Sequence, residues 1–238
     1  MVRRRVTTCE VIYVEVDVST LVRTYEASGD PGTISDGEGD LGGVSYGIYQ
    51  LSSTAGSVDS FVKFCQTSVN ENIVNIGDRL AQFSVNTDEF NAEWTAAAND
   101  FPDDFTAAQD AYAVEVYLDP AGSDLADANY DLSNHTQVMS AVVMSRAVQY
   151  SSGNVVELFE EAVARLGHPN LSYVNSPEFD AQLINEIYGF LIDECDDAQW
   201  NGSIYHSPKD WCNGSAGVIN GLRNRFVNER ADALALID

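Results

Sequence analysis

The chain has 238 residues, of which 45% are hydrophobic, so it is long enough to bury one sizeable core or two closely packed lobes. Its 37 acidic and 12 basic side chains give a formal net charge of −25, which repels nucleic acids and anionic lipids. We therefore exclude a nucleic-acid-binding function. Such acidity resembles that of proteins from salt-loving organisms, because a Debye length of about 3 Å in molar salt screens surface repulsion. The alternative is that it only keeps the surface soluble.

Residues 1–18 are predicted to form a strand-like extension. Residues 6–18 are rich in β-branched side chains with partial alternation, which indicates a β-strand. Glu10, Glu15 and Asp17 interrupt any apolar run after the basic start of the chain, so we expect no signal peptide. No run of about 18 apolar residues occurs in the sequence, which excludes a conventional transmembrane helix.

The next segment combines a short helix with a glycine-rich loop. Ser19 and Thr20 can cap a helix that must end near Ser28, because the Asp-Pro-Gly sequence at 30–32 cannot continue it. Glu26 is therefore expected in the last turn of this helix. Glycines recur over 29–43, which predicts a loop or hairpin. Strand-like composition over 44–51 then leads to a helix that begins near residue 57.

The rest of the chain is predicted to be helical. Apolar residues recur at helical spacing between 69 and 118, with breaks expected at 101–104 and at 119–122. The most apolar helix is expected over 136–150, with the composition of a buried central helix. Further helices are predicted over 154–166, 177–193 and 215–236. The sequence contains no internal repeat, so we expect one globular unit after the extension.

Glu26 is a candidate for glycosidic-bond chemistry. Hydrolysis of such a bond requires an acid that protonates the leaving oxygen and usually a second carboxylate. A glutamate at a helix end, facing a glycine-rich hairpin and partly buried against Tyr25, Tyr46 or Tyr49, would have a raised pKa and stay protonated near neutrality. Taken alone, however, a glutamate in a helix is most often a solvated surface residue.

Two segments carry a recognisable pattern: YEASG at 25–29 and GDLGGVSYGIYQL at 39–51. They resemble the catalytic start of the lysozyme superfamily, and are most similar to the lysozyme-like domain of phage tail lysins and of proteins related to type VI secretion spikes. That family reads ESGG and GDPGGVSYGxYQ, so positions 27, 28 and 41 depart from it without removing a required functional group. The resemblance continues through 142–150 and 225–234, where Met144 and Tyr150 replace the usual Trp and His.

The resemblance implies a mainly helical α+β, lysozyme-like fold over 19–238, in which a small β-hairpin lobe packs on a helical lobe with a cleft between them. It implies that Glu26 is the general acid and that Asp40 is the second carboxylate. Asp36 and Glu38, in the same loop, compete with Asp40 for that role. The loop resembles that of inverting relatives, in which the two carboxyl groups are about 6.5–9.5 Å apart.

The same resemblance implies which side chains bind the sugar. Ser45, Tyr46, Tyr49 and Gln50 would line the cleft and offer hydrogen bonds and an aromatic face. For the two tyrosines, packing within the hairpin is an equal alternative.

Polar residues in two of the apolar helical patterns are expected to be structural. Arg146, Gln149, Glu229 and Arg230 lie among apolar neighbours. An Arg–carboxylate pair formed from them would hold two lobes together, because such pairs make strong, directional hydrogen bonds.

The cysteines and histidines do not suggest a metal site. The four cysteines, Cys9, Cys65, Cys195 and Cys212, permit three full pairings, among which we favour the local pair Cys195–Cys212. The alternative is that they are ordinary buried thiols. They lack CxxC spacing, and the three histidines, at 135, 168 and 206, are scattered. We therefore expect no metal and no cofactor.

Together these features predict a muramidase-type glycoside hydrolase that cleaves the glycan strands of bacterial peptidoglycan. The partners expected are peptidoglycan or a related polysaccharide and the proteins of a virion tail or secretion spike, with no nucleic acid and no membrane insertion. The expected location is extracellular or virion-associated. Two alternatives stay open: a chitosanase- or chitinase-like enzyme, whose acidic cleft would suit cationic chitosan, and a non-catalytic wall-binding component of a tail or spike.

Overall fold

The structure, a computed structural model, describes residues 17–25, 30–35, 43–200 and 205–237. Most of the strand-like extension predicted over 1–18 lies outside these residues. The described residues form helices joined by short turns, with one small antiparallel hairpin. The helices are α1 (Thr20–Tyr25), α2 (Ser57–Gln66), α3 (Glu71–Leu80), α4 (Asp88–Asp100), α5 (Pro102–Ala113), α6 (Asp119–Asp127), α7 (Gln137–Tyr150), α8 (Val155–Arg165), α9 (Asp180–Trp200) and α10 (Ala216–Ile237), and the strands are β1 (Ser45–Tyr46) and β2 (Leu51–Ser52).

Several helix starts follow from side-chain caps. The side chains of Asn70, Thr87 and Thr136 accept hydrogen bonds from backbone N–H groups in the first turns of α3, α4 and α7. Each cap satisfies a donor that has no partner within its helix. The predictions of a helix starting near residue 57 and of helices over 136–150, 154–166 and 215–236 are confirmed to within a few residues. Helix α9 extends beyond the predicted end at 193, to Trp200.

The buried side chains form two hydrophobic clusters. The first cluster comes mainly from the hairpin and α2–α5 and includes the fully buried Trp94. The second cluster comes mainly from α6–α10. In α1, Leu21 belongs to the second cluster and Val22 to the first, while Met144 is the residue of α7 that joins the first. Helices α1 and α7 therefore contact both clusters.

Helix α7 is the buried central helix that its composition predicts. Of its 14 residues, nine are buried, including Ser145 and Arg146. Its buried side chains belong to both clusters. Burial of each large apolar side chain stabilises the fold by roughly 1.5–3 kcal/mol. Within the described part of the chain, no helix is long and apolar enough to cross a membrane.

The break predicted at 119–122 is wrong. Helix α6 begins at Asp119 and continues directly from α5 through the π-helical turn Val114–Leu118. The backbone N–H of Asp119 donates to the carbonyl of Val114, five residues earlier. Pro120 lies in the first turn of α6, where a residue without an N–H is tolerated, and the wider turn before it adjusts the hydrogen-bond register. The helical segment therefore runs from the first cluster into the second.

A disulfide bond joins the end of α9 to the loop before α10. Cys195 and Cys212 are bonded, with their Cα atoms 5.3 Å apart. The local pair favoured from the sequence is therefore confirmed. Cys65 is a buried thiol of the first cluster, and burial raises its pKa to about 12. Cys9 lies outside the described residues.

Candidate active site

The predicted acid and its partners lie in segments that the structure does not describe. Glu26 lies in 26–29, and Asp36, Glu38 and Asp40 lie in 36–42. Their roles therefore stay predictions. The described residues on either side of these two segments show how the chain is held as it enters and leaves them.

Helix α1, which directly precedes Glu26 in the sequence, is anchored to α5 by an ion pair. Arg23 Nε donates to Asp110 Oδ1 at 3.1 Å, and its terminal nitrogen also pairs with the second carboxylate oxygen of Asp110. Tyr49 donates its hydroxyl to Asp110 Oδ1 at 2.7 Å. Burial raises the pKa of Tyr49 above its usual value, and the charge of Asp110 adds to the effect, so this hydroxyl stays a proton donor. One carboxylate thus connects α1 with the hairpin.

The last described residue of α1 is anchored on the opposite side. Tyr25 donates its hydroxyl to the carboxylate of Asp232 in α10. Burial and this hydrogen bond raise the pKa of Tyr25 above its usual value. Helix α1 is therefore held between α5 and α10 by two side chains that precede Glu26 by three residues and by one.

The segment 30–35 runs beside β1 like a third strand. The backbone N–H of Ser35 donates to the carbonyl of Ser45 at 2.9 Å, and that of Gly47 donates to the carbonyl of Thr33 at 2.7 Å. Ser35 is the last described residue of this pairing, and the undescribed segment 36–42 follows it. In the sequence, Asp36, Glu38 and Asp40 therefore lie between Ser35, which is paired with Ser45, and Gly43, which precedes β1.

A buried glutamine holds this segment and the hairpin together. The carbonyl of Pro31 accepts hydrogen bonds from Trp94 Nε1 at 2.9 Å and from Gln109 Nε2 at 3.0 Å. Gln109 Oε1 accepts the backbone N–H of Ile48 at 2.7 Å. Gly47, at φ +70°, passes so close that an added Cβ would lie 2.2 Å from Gln109 Oε1. Only glycine fits this position, both for its backbone conformation and for its space.

The four residues expected to line a sugar cleft have different environments. Tyr46 is fully buried, its ring lies edge-on to Phe90 and Trp94, and its hydroxyl donates to the side chain of Asn91 at 2.5 Å. The ring of Tyr46 is therefore covered by the first cluster. This agrees with the alternative that the tyrosine packs inside the protein instead of lining a sugar cleft. Such edge-to-face contacts favour a fixed ring orientation.

Of the other three residues expected to line the cleft, two are buried and one is exposed. Tyr49 is 6% exposed and its hydroxyl is engaged by Asp110, while Ser45 is buried in its pairing with the segment 30–35. The ring of Tyr49 therefore also packs rather than offering an open face. Gln50 is exposed, at φ +52°, in the turn between β1 and β2. Of the four, Gln50 is the exposed residue, and its side-chain amide donates to the carbonyl of Gly47 at 3.0 Å.

The expected Arg–carboxylate pair is present and joins α7 to α10. Arg146 Nη2 donates to Glu229 Oε2 at 2.6 Å, and Arg146 Nη1 donates to Gln149 at 2.6 Å. Ser145 also donates its hydroxyl to Glu229. The guanidinium lies over the ring of Tyr188, 5.2 Å from its centroid. This cluster is structural, because its charged groups are buried and paired with one another.

The two positions that depart from the family pattern in α7 both have packing roles. Met144 is buried in the first cluster. Tyr150 donates its hydroxyl to the carbonyl of Trp211 at 3.1 Å, and its ring lies edge-on to that indole. Tyr150 therefore fastens the disulfide-bonded loop to the central helix.

The described residues contain no group of three or more His, Cys, Asp or Glu side chains arranged to hold a metal ion.

The fold is similar to that of a chitosanase of known structure. A chitosanase from Bacillus subtilis MY002 superposes with a TM-score of 0.50 and 18% identity, over 86% of this chain and 80% of the chitosanase. A glutamate-to-alanine mutant of that chitosanase, complexed with 6 GlcN, gives the same TM-score and identity over 91% of this chain and 87% of the mutant. The chain therefore has a mainly helical, lysozyme-like fold with one small β-hairpin.

Residues 18–230 match the family described as type VI secretion system spike protein VgrG3-like, C-terminal, and the chain belongs to this family. A curated relative is the type VI secretion system spike protein VgrG3 of Vibrio cholerae serotype O1 (strain ATCC 39315 / El Tor Inaba N16961), which is 30% identical over 127 residues. That match covers 53% of this chain and only 12% of the relative.

Proposed function

We propose that the chain is a muramidase-type glycoside hydrolase that cleaves the glycan strands of bacterial peptidoglycan. The observation that carries the proposal is the family match over 18–230, which includes both segments of the catalytic pattern, 25–29 and 39–51. The glycosidase-like fold supports the same reaction class. The substrate follows from the resemblance of these segments to cell-wall lysins.

In this mechanism Glu26 protonates the glycosidic oxygen and Asp40 activates the attacking water. The anchoring of α1 and of the hairpin supports these roles, because each carboxylate lies between two points of the chain that buried side chains hold in place. We expect inversion at the anomeric carbon, with the two carboxyl groups about 6.5–9.5 Å apart. Proton NMR of the first product formed would show which anomer arises.

Chitosan is the second candidate substrate. It is favoured by the likeness to a chitosanase whose glutamate-to-alanine mutant is complexed with 6 GlcN. The formal charge of −25 would also attract a cationic polymer such as chitosan. Parallel assays that count new reducing ends on purified sacculi and on chitosan would separate the two substrates.

The family name supports spike proteins of a type VI secretion system as partners, and hence a place outside the producing cell. A virion tail is the other assembly that the sequence resemblance suggests. A wall-binding component without catalysis would still co-sediment with sacculi but would release no reducing ends from them.

The decisive experiment compares the parent with Glu26→Gln on the polymer that the parent cleaves. Glutamine keeps size and polarity but removes the transferable proton, so the rate should fall by at least about 10²-fold while the melting temperature changes little. Glu71→Gln, in the exposed first turn of α3, makes the same chemical change away from the site and should retain the parent rate. Equal rates for Glu26→Gln and the parent would show that the acid is another residue.

A further inference from the structure

Two adjacent residues of α5 contact α1, the segment 30–35 and the hairpin. Gln109 bonds to the backbone of Pro31 and of Ile48. Asp110 pairs with Arg23 of α1 and accepts the hydroxyl of Tyr49. We infer that Gln109 and Asp110 are positioning residues for the proposed reaction, because they hold the described chain on both sides of Glu26 and of Asp40 in the sequence. This inference rests on the proposed function.

The sequence order shows why these contacts matter. Glu26 lies between Arg23, which Asp110 holds, and Pro31, which Gln109 holds. Asp40 lies between Pro31 and Ile48, and both are held by the same amide group of Gln109. Glu26 is therefore on a stretch of chain whose two ends are bonded to consecutive residues of α5, and Asp40 is on a stretch whose two ends are both bonded to Gln109.

Both anchor residues are largely buried. Gln109 is 1% exposed, and the Asp110 side chain is 14% exposed. Helix α5 is fixed by Phe105 and Tyr112, which pack in the first cluster. A buried polar group without a partner costs free energy, so the amide of Gln109 strongly favours the one arrangement in which its oxygen and nitrogen are both bonded.

Neither residue is expected to touch substrate. Each acts through the backbone or side chain of another residue, and a misplacement of about 1 Å in a catalytic group can cost about 10²-fold in rate. Removal of either anchor should therefore lower kcat more than it changes KM, because the reacting groups are displaced while most of the substrate-binding surface remains.

The test uses Gln109→Leu and Asp110→Asn in the full chain. Leucine approximates the shape of Gln109 without its hydrogen bonds, and asparagine removes the charge that holds Arg23. The matched control is Tyr112→Phe, which removes a hydrogen bond to the carbonyl of Ser57 from the same helix but none to the site segments. We expect kcat to fall about 10- to 100-fold in both anchor variants, with a much smaller change in KM, and to stay near the parent value in the control.

A double variant tests whether Asp110 acts through its partner. If Asp110 positions α1 through the Arg23 ion pair, Arg23→Gln combined with Asp110→Asn should lose little more kcat than the worse single variant, because the pair acts as a unit. Losses that multiply would overturn this part of the inference, since the two residues would then act separately.

Amide hydrogen exchange gives a readout that does not depend on activity. Peptides covering 20–48 should exchange faster in Gln109→Leu and Asp110→Asn than in the parent, while peptides from α8 and α9 should not. Tyr112→Phe should leave the exchange of both regions as in the parent.

If the parent cleaves neither sacculi nor chitosan, the proposed function fails, and the exchange experiment alone decides whether Gln109 and Asp110 hold the segment 20–48. Unchanged exchange over 20–48, or a loss of kcat in the control equal to that in the anchor variants, would overturn the inference.

Discussion

Arg146 and Glu229 form an ion pair whose charged side chains are both fully buried, at 2.6 Å between Nη2 and Oε2. Arg225 approaches the same carboxylate at 3.5 Å from within α10. Taking charges out of water costs several kcal/mol for each ion, and the pair offsets this cost only while both partners are present. The link between α7 and α10 therefore depends on the two residues together.

We predict that Glu229→Gln lowers the free energy of unfolding by about 3–5 kcal/mol, because the guanidinium of Arg146 is left buried without its counter-charge. Urea unfolding followed by circular dichroism measures the change. The matched control is Asp193→Asn, which breaks the exposed pair with Arg165 and should cost about 0–1 kcal/mol. A double replacement, Arg146→Met with Glu229→Leu, should recover part of the loss, and equal losses in the single and double variants would contradict this account.

A second prediction concerns the disulfide bond. Replacing Cys195 and Cys212 together by alanine should lower the free energy of unfolding by about 3 kcal/mol, because a closed loop of this length restricts the unfolded chain. The melting temperature with and without a reducing agent measures the effect. The reductant should destabilise the parent and leave the double variant unchanged. If complete reduction of the disulfide left the melting temperature of the parent unchanged, the bond would contribute no stability.

The third prediction concerns salt. With a formal charge of −25, self-repulsion among carboxylates should be screened as ionic strength rises, so the melting temperature should increase from low to molar potassium chloride. Exposed pairs such as Arg165–Glu186 are weakened by salt, but each contributes only about 0–1 kcal/mol. Choline chloride at equal ionic strength is the control for a specific ion effect. A melting temperature that stays flat or falls would contradict the salt-adapted interpretation.

Local signals predicted much of the fold. Thr136 caps α7 where a helix was expected. The local cysteine pair that was favoured and the expected Arg–carboxylate pair are present as Cys195–Cys212 and Arg146–Glu229. The break expected at 119–122 failed because a proline in the first turn of a helix is compatible with helical continuation once a π-helical turn precedes it.

The anchor of the candidate site was missed because its partners are distant in sequence. Gln109 bonds to residues 61 and 78 positions away, and Asp110 to one 87 positions away. One local signal was available: Gln109 lies four residues after Phe105 and three before Tyr112, so it is a polar residue at a core position of α5. A buried amide at such a position requires partners, although the sequence does not identify them.

The last prediction identifies the second carboxylate. Asp40 occupies the Gly-Asp element of the family pattern, whereas Asp36 and Glu38 lie in its more variable part. If Asp40 activates water, Asp40→Asn should lose about 10²-fold or more in kcat with little change in melting temperature, because general-base catalysis typically supplies about 10²- to 10⁴-fold. Asp36→Asn and Glu38→Gln are matched controls, since they make the same chemical change within the same loop, and each should retain most of the parent rate. The rates are measured as reducing ends released from the polymer that the parent cleaves. A larger loss in either control than in Asp40→Asn would move the base to that residue.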